Sequence, residues 1–166
     1  MMMLGARLGA MSERERRRLL PSSALRSPKD GPAQGVGDRL VLIVDDYEDT
    51  RALYVEHLQE AGFRVIEATN GEEAAHLALT LRPDAILMDL SMPKLDGWDA
   101  TRRIRADATM KGTYIIALSA MDGEISRGMA FDAGCNDFIA KPFLADALVQ
   151  VLTAHFRGDP GGTPDA

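Results

Sequence analysis

Five polar side chains interrupt otherwise apolar runs in this sequence. Asp45 and Asp46 follow Leu40–Val44, and Asp89 follows Ala85–Met88. Ser119 follows Tyr114–Leu118, and Lys141 follows Phe138–Ala140. If these runs are strands of one sheet, three carboxylates, a hydroxyl and an ammonium meet at one edge. Two unit charges about 4 Å apart repel by roughly 4 kcal/mol at an effective dielectric near 20. A carboxylate trio therefore needs a cation, or one of its acids takes a proton. Hard oxygen ligands in small number suit Mg²⁺, which keeps several of its waters. Asp46 and Asp89 can ligate it directly, Asp45 directly or through water, and the loop after Asp89 can add the Ser91 backbone carbonyl. A lysine and a hydroxyl opposite complete a cradle for a phosphoryl group. An aspartate can itself be the nucleophile and form an aspartyl phosphate, the protein supplying position and charge neutralisation. Asp89 is the best placed nucleophile, on a central strand between the acid pair and Ser119. Lys141 would pair with a phosphoryl oxygen, and the Ser119 hydroxyl would donate to it.

The elements that must position these groups alternate along the chain. Short apolar runs at Leu40–Val44, Arg64–Ala68, Ala85–Met88, Tyr114–Leu118 and Phe138–Ala140 predict strands. Helical spacing predicts helices over Thr50–Ala61 (closed at Gly62), Gly71–Leu81, Asp99–Ala106, Glu124–Ala133 (closed at Gly134) and Leu144–His155. The first helix should bury Tyr54, Leu58 and Ala61, and the last Leu144, Leu148, Val151 and Leu152. Asn70, three residues before Glu73, reads as a capping box. Five strands alternating with five helices predict an α/β fold, a doubly wound parallel sheet with helices on both faces. Sites in such sheets form outside the carboxyl ends of the strands, where the five polar residues fall.

Composition sets outer limits. The chain has 166 residues, 46% hydrophobic and 27% charged, with a net charge of −6. That is ordinary for a globular protein able to bury its own core, and the acidic balance argues against a nonspecific nucleic-acid binder. A lone cysteine, Cys135, excludes an internal disulfide and suits a reducing cytoplasm. No apolar run approaches the roughly 18 residues of a membrane span. The charge divides unevenly: residues 1–38 carry +3 and the rest −9. Residues 1–38 read as a disordered basic tail, with a possible short helix at Glu13–Leu20. Residues 39–157 read as one domain, and residues 158–166, rich in Gly and Pro, as a second disordered tail. The domain would then fill the folded part, and its output would lie in another protein.

The segments VLIVDDYEDTR (Val41–Arg51), AILMDLSMPKLDGW (Ala85–Trp98), IIALSA (Ile115–Ala120) and AGCNDFIAKPF (Ala133–Phe143) together resemble the response-regulator receiver domain of two-component signalling. The likeness spans about 118 residues, from Arg39 to Phe156. It implies a flavodoxin-like (βα)5 fold with strand order 2-1-3-4-5. It also implies Asp89 as phosphoacceptor, Asp45 and Asp46 as the metal-binding pair, and Mg²⁺ as cofactor. Lys141 becomes the phosphate-pairing lysine, followed by a cis bond to Pro142. Ser119 becomes the switch hydroxyl, Phe138 the switch aromatic, and Pro93 and Gly97 the turn after the acceptor. The implied donor is a phosphohistidine on a histidine kinase or phosphotransfer protein, docking near Tyr47–Leu53. The implied output is a change in partner affinity on the fourth helix, fifth strand and fifth helix, compatible with a dimer. Leu144 departs from a usual helix cap, and Thr113-Tyr114 from a usual proline. Met121 has no hydrogen bond with which to orient an attacking water, which predicts a persistent phosphoryl group.

Plainer readings stand beside these. Phe138 and Trp98 can be ordinary core. His57, His76 and His155 fall on separate helices without metal-ligand spacing, and Cys135 has no evident base. A DNA-binding output lacks a helix-turn-helix pattern in either tail. A Mg²⁺-dependent phosphohydrolase would usually carry D-x-D at its nucleophile, whereas Leu90 and Ser91 follow Asp89. A receiver that docks without phosphorylation remains the third alternative.

Overall fold

The computed structural model describes residues 36–92, 96–121 and 123–158. Most of both expected tails, the Glu13–Leu20 helix and Pro93 lie outside the described residues. Five strands, β1 (Leu40–Val44), β2 (Arg64–Ala68), β3 (Ala85–Asp89), β4 (Tyr114–Ser119) and β5 (Asp137–Ala140), form one parallel sheet. Its order is β2-β1-β3-β4-β5, as the receiver resemblance implies. Between and after the strands run α1 (Glu48–Glu60), α2 (Gly71–Leu81), α3 (Gly97–Arg105), α4 (Glu124–Ala133) and α5 (Ala145–Arg157).

The two-residue period of a strand sends alternate side chains into two cores. Leu42 and Val44 of β1, Ile86 and Met88 of β3, and Ile115 and Ala117 of β4 face one core. There they meet Ala74, Ala75 and Ala78 of α2, Trp98 and Ile104 of α3, and Ala130 of α4. Val41, Ile43, Leu87, Ile116 and Leu118 face the other, with Tyr54 and Leu58 of α1 and Leu148, Val151 and Leu152 of α5. β1 and β3 are buried throughout, so their apolar runs show no alternation, as expected of central strands covered on both faces.

Several boundaries differ from the sequence reading, each for a local reason. Helix α1 begins at Glu48, two residues early. Its N-cap Tyr47 makes no side-chain cap, and Asp45 instead accepts from the Tyr47 amide at 2.8 Å. Ala61 is exposed and forms the cap itself, ahead of Gly62. Helix α3 begins at Gly97, because Asp96 caps it by accepting from the Asp99 amide at 2.9 Å. Strand β5 gains Asp137, in register with Ile116. Helix α5 runs on to Arg157 and closes at Gly158, whose left-handed backbone (φ 74°) favours glycine. Leu144 is not on its buried face: it is the N-cap, extended and 79% exposed. Val36 already packs against the α1–α5 core within a 3-10 turn, so folded structure starts before Arg39. The Asn70 cap is as expected: its Oδ1 accepts from the Glu73 amide at 2.9 Å, and Glu73 reaches back to the Thr69 amide at 2.8 Å.

Leu148→Ala should lower unfolding free energy by about 2–5 kcal/mol. Leu144→Ala, four residues away, should stay within about 0.5 kcal/mol. Urea denaturation of the two variants checks the buried and exposed assignments together.

Candidate functional site

The carboxyl ends of β1, β3, β4 and β5 bring Asp45, Asp46, Asp89, Ser119 and Lys141 to one place. One carboxylate oxygen from each aspartate lies within 4.8 Å of the others. Asp45 is fully buried: Oδ1 accepts from the Tyr47 amide, and Oδ2 lies 3.3 Å from Lys141 Nζ. Asp89 is buried at the end of central β3. Its Oδ1 accepts from the Ser91 amide at 2.9 Å, and its Oδ2 stands 3.5 Å from Lys141 Nζ. Lys141 thus spans two acids from the far side of the sheet. Its own amide donates to the Ser119 carbonyl at 2.8 Å, and the bond to Pro142 is cis. Ser119 is fully buried, and its Oγ accepts from the Met121 amide at 3.0 Å.

The cluster is acidic beyond what Lys141 offsets. Burial raises the Asp89 carboxyl above the usual range; the Ser91 amide and Lys141 pull it down, while Asp45 and Asp46 push it up. Burial lowers the Lys141 ammonium, but Asp89 and Asp45 outweigh this, and its net shift is upward. Asp46 gives the most direct evidence that these residues fit a cation. Its Oδ1 is buried with no hydrogen-bond partner, an arrangement that is costly for a carboxylate. Three hard anionic oxygens, one unpartnered, match the donor set Mg²⁺ takes. Asp45, Asp46 and Asp89 are the ligating candidates. Ser91 follows directly, its amide already turned to Asp89.

Two neighbours were given no site role by sequence, Tyr54 and Arg51, and a third, Gly97, only as a turn. Tyr54 is buried beside the acids and stacked on Phe143 (5.6 Å), its hydroxyl raised by burial, lowered by Lys141 and raised by Asp45 and Asp89. Arg51 donates to the Asp45 carbonyl at 2.9 Å and to Glu67 at 2.7 Å. A Cβ on Gly97 would fall onto the Asp89 carbonyl oxygen and within 2.7 Å of the Leu90 Cα, so glycine is required where α3 starts against the end of β3. Only the Gly97 position carried a sequence signal, through the turn of the resemblance. Phe138 is buried, with the Arg127 guanidinium 5.3 Å from its ring centre. Trp98 is core. Burial pushes the Cys135 thiol up to about 11, which leaves it unreactive. His155 stacks on Tyr114 at 3.7 Å and His57 lies 3.7 Å from Asp146, both away from the acids.

Comparison with known proteins agrees with this geometry. The family described as response regulator receiver domain matches residues 41–153. The transcriptional regulatory protein ResD of Bacillus subtilis is 41% identical over 117 residues, covering 70% of this chain and 48% of ResD. The chain spans about half the length of the curated relatives it matches. Among solved structures, the receiver domain of the sensor histidine kinase PA1611 from Pseudomonas aeruginosa is 37% identical, with a TM-score of 0.66. It covers 72% of this chain and 98% of its own, and holds a magnesium ion in its active-site cleft. The chemotaxis protein CheY4 of Vibrio cholerae is 30% identical, with a TM-score of 0.66, covering 69% of this chain and 95% of its own.

The raised Asp89 carboxyl has a consequence for stability. Folded Asp89 holds its proton more tightly than unfolded Asp89. Its contribution is therefore present below the ordinary carboxylate range and lost as pH rises through the raised value. In EDTA at pH 7, Asp89→Asn should melt a few degrees above the parent, and the gap should shrink as pH falls into the carboxylate range. Calorimetry across pH checks this; an equal gap at every pH would contradict it.

Proposed function

The chain belongs to the response regulator receiver domain family, and from that premise we propose that it is a phosphorylation switch with Asp89 as its acceptor. The observation that carries this reading is the buried Asp89 carboxylate, flanked by Asp45 and Asp46 and faced by Lys141. In the reaction, an Asp89 oxygen forms a bond to phosphorus as the bond from phosphorus to a donor imidazole nitrogen breaks. The imidazole leaves and is protonated by solvent. Asp45, Asp46, Asp89 and the Ser91 carbonyl would hold Mg²⁺, which when bound would supply the positive charge that lets acids and phosphoryl oxygens share this volume. Lys141 exchanges its contact with Asp89 for a phosphoryl oxygen, and Ser119 gives up its turn contact to donate to another. The chain's own work is positioning and neutralisation.

The donor is a histidine kinase or phosphotransfer protein bearing a phosphohistidine, docking over the start of α1, where Tyr47 (71%) and Leu53 are exposed. Phosphorylation adds close to two negative charges. That shift draws Ser119 and the segment leading to α4 toward the new oxygens, and Phe138 turns with it. The output surface is α4–β5–α5, where Ile125 (81%) and Met129 stand exposed. The protein target bound there is a separate molecule in this reading. We place the protein in the cytoplasm with its donor; no helix among the described residues is long and apolar enough to cross a membrane.

Labelling with radioactive phosphoramidate should require Mg²⁺, vanish in EDTA and vanish in Asp89→Asn; label retained by that variant would overturn the assignment. Met121 is exposed beside the acceptor. Met121→Glu, which supplies a hydrogen-bonding group for attacking water, should shorten the phosphoryl half-life several-fold in a chase experiment. An unchanged or longer half-life would contradict the expected persistence.

A further inference from the structure

Arg51 is buried more deeply than a helix-surface arginine should be. Its side chain is 12% exposed, and it lies on the first turn of α1 against the Asp45 backbone. Its donors are divided between two acceptors. Nε donates to Glu67 Oε2 at 2.7 Å, and Nη1 donates to the Asp45 carbonyl at 2.9 Å. Glu67 reaches it by register. It lies opposite Ile43 in the sheet, and so faces the α1 side from edge strand β2.

The Asp45 carbonyl belongs to the peptide that leads into Asp46. Asp46 has a buried Oδ1 with no partner, so its carboxylate is aimed by its backbone rather than by a hydrogen bond of its own. That backbone is held on both sides. Behind it, the Asp45 amide donates to the Ala68 carbonyl at 3.2 Å. Ahead of it, the Arg51 amide donates to the Tyr47 carbonyl at 3.0 Å. Across it, the Tyr47 amide donates to Asp45 Oδ1 at 2.8 Å, and the Arg51 guanidinium ties the carbonyl of the Asp45–Asp46 peptide itself. We propose that the Arg51–Glu67 pair is a positioning device for the metal site: Glu67 fixes the guanidinium, the guanidinium fixes the Asp45–Asp46 peptide, and Asp46 is thereby aimed at the cation. This rests on the metal site of the proposed function and adds residues that do not touch the metal. Groups that orient metal ligands typically change affinity by 10–100-fold when removed.

Charge and position pull apart in the single variants. Loss of Arg51 alone leaves Glu67 negative, which favours a cation; loss of Glu67 alone leaves Arg51 positive, which opposes one. The double variant Arg51→Met with Glu67→Gln keeps the net charge of the pair at zero and removes the tie. Mn²⁺ binding, read by electron paramagnetic resonance of the free ion, should weaken about tenfold in the double variant. Arg51→Lys, with one compact donor group in place of a fork, should lie between it and the parent. The loss should persist in about 1 M salt, where exposed charge effects are screened. Far-ultraviolet circular dichroism and melting confirm that each variant is folded at the temperature of binding. If the double variant does not fold, Arg51→Met carries the test: its lost positive charge would by itself strengthen binding, so binding should still weaken only if the tie is what matters. Parent-like affinity in the folded double variant, or parent-like or tighter binding in Arg51→Met, would overturn the positioning role. If the parent binds Mn²⁺ no better than Asp46→Asn does, the metal site itself fails and the device falls with it.

Discussion

Mutual repulsion among Asp45, Asp46 and Asp89 is the constraint around which this molecule is organised. Three acids share a space 4.8 Å across, and two of them are buried. Lys141 offsets part of that charge, at 3.3 and 3.5 Å from Asp45 and Asp89. Burial above all, with the neighbouring acids adding to it, leaves Asp89 with a raised carboxyl, and Asp46 Oδ1 is buried with no hydrogen-bond partner. A site in this state gains from any added positive charge. Under the proposed function, charge added with a phosphoryl group would be felt strongly, because burial makes each interaction larger than it would be in water.

The sheet is what makes the constraint tolerable. Strands buried on both faces set the depth at which each acid emerges, and the two cores hold those strands against the repulsion at their ends. Lys141 comes from β5, two strands from Asp89, yet its amide is bonded to the Ser119 carbonyl. Lys141, Ser119 and Asp89 are therefore one connected unit. Phe138 of β5 packs into the α2–α4 core with Arg127 over its ring. In the proposed switch, this is the route from charge at one end of the sheet to the surface of α4 and β5.

The parts of this arrangement written in local sequence were legible. Apolar runs that stop at a polar residue marked β1, β3, β4 and the site together, since burial on both faces leaves no other signal for a strand. The Asn70–Glu73 pair marked a helix start through its own hydrogen bonds. What was not legible depends on distant partners. Arg51 and Glu67 are sixteen residues apart, on different elements, and each alone reads as a solvated charge. The early start of α1 follows from Asp45 taking the Tyr47 amide, and that of α3 from Asp96, which the apolar spacing does not include. Leu144 fitted the helical period of α5, but the chain is extended there, so the period does not apply and the side chain points to solvent.

The central claim is that one particular carboxylate accepts the phosphoryl group. Borohydride reduces an acyl phosphate to an alcohol, which marks the acceptor permanently. The protein is incubated with phosphoramidate and Mg²⁺, reduced, digested and sequenced by mass spectrometry. Homoserine is expected at position 89, with aspartate retained at positions 45 and 46. Reduction at another residue, or an unmodified Asp89 in protein that has taken up phosphate, would contradict it.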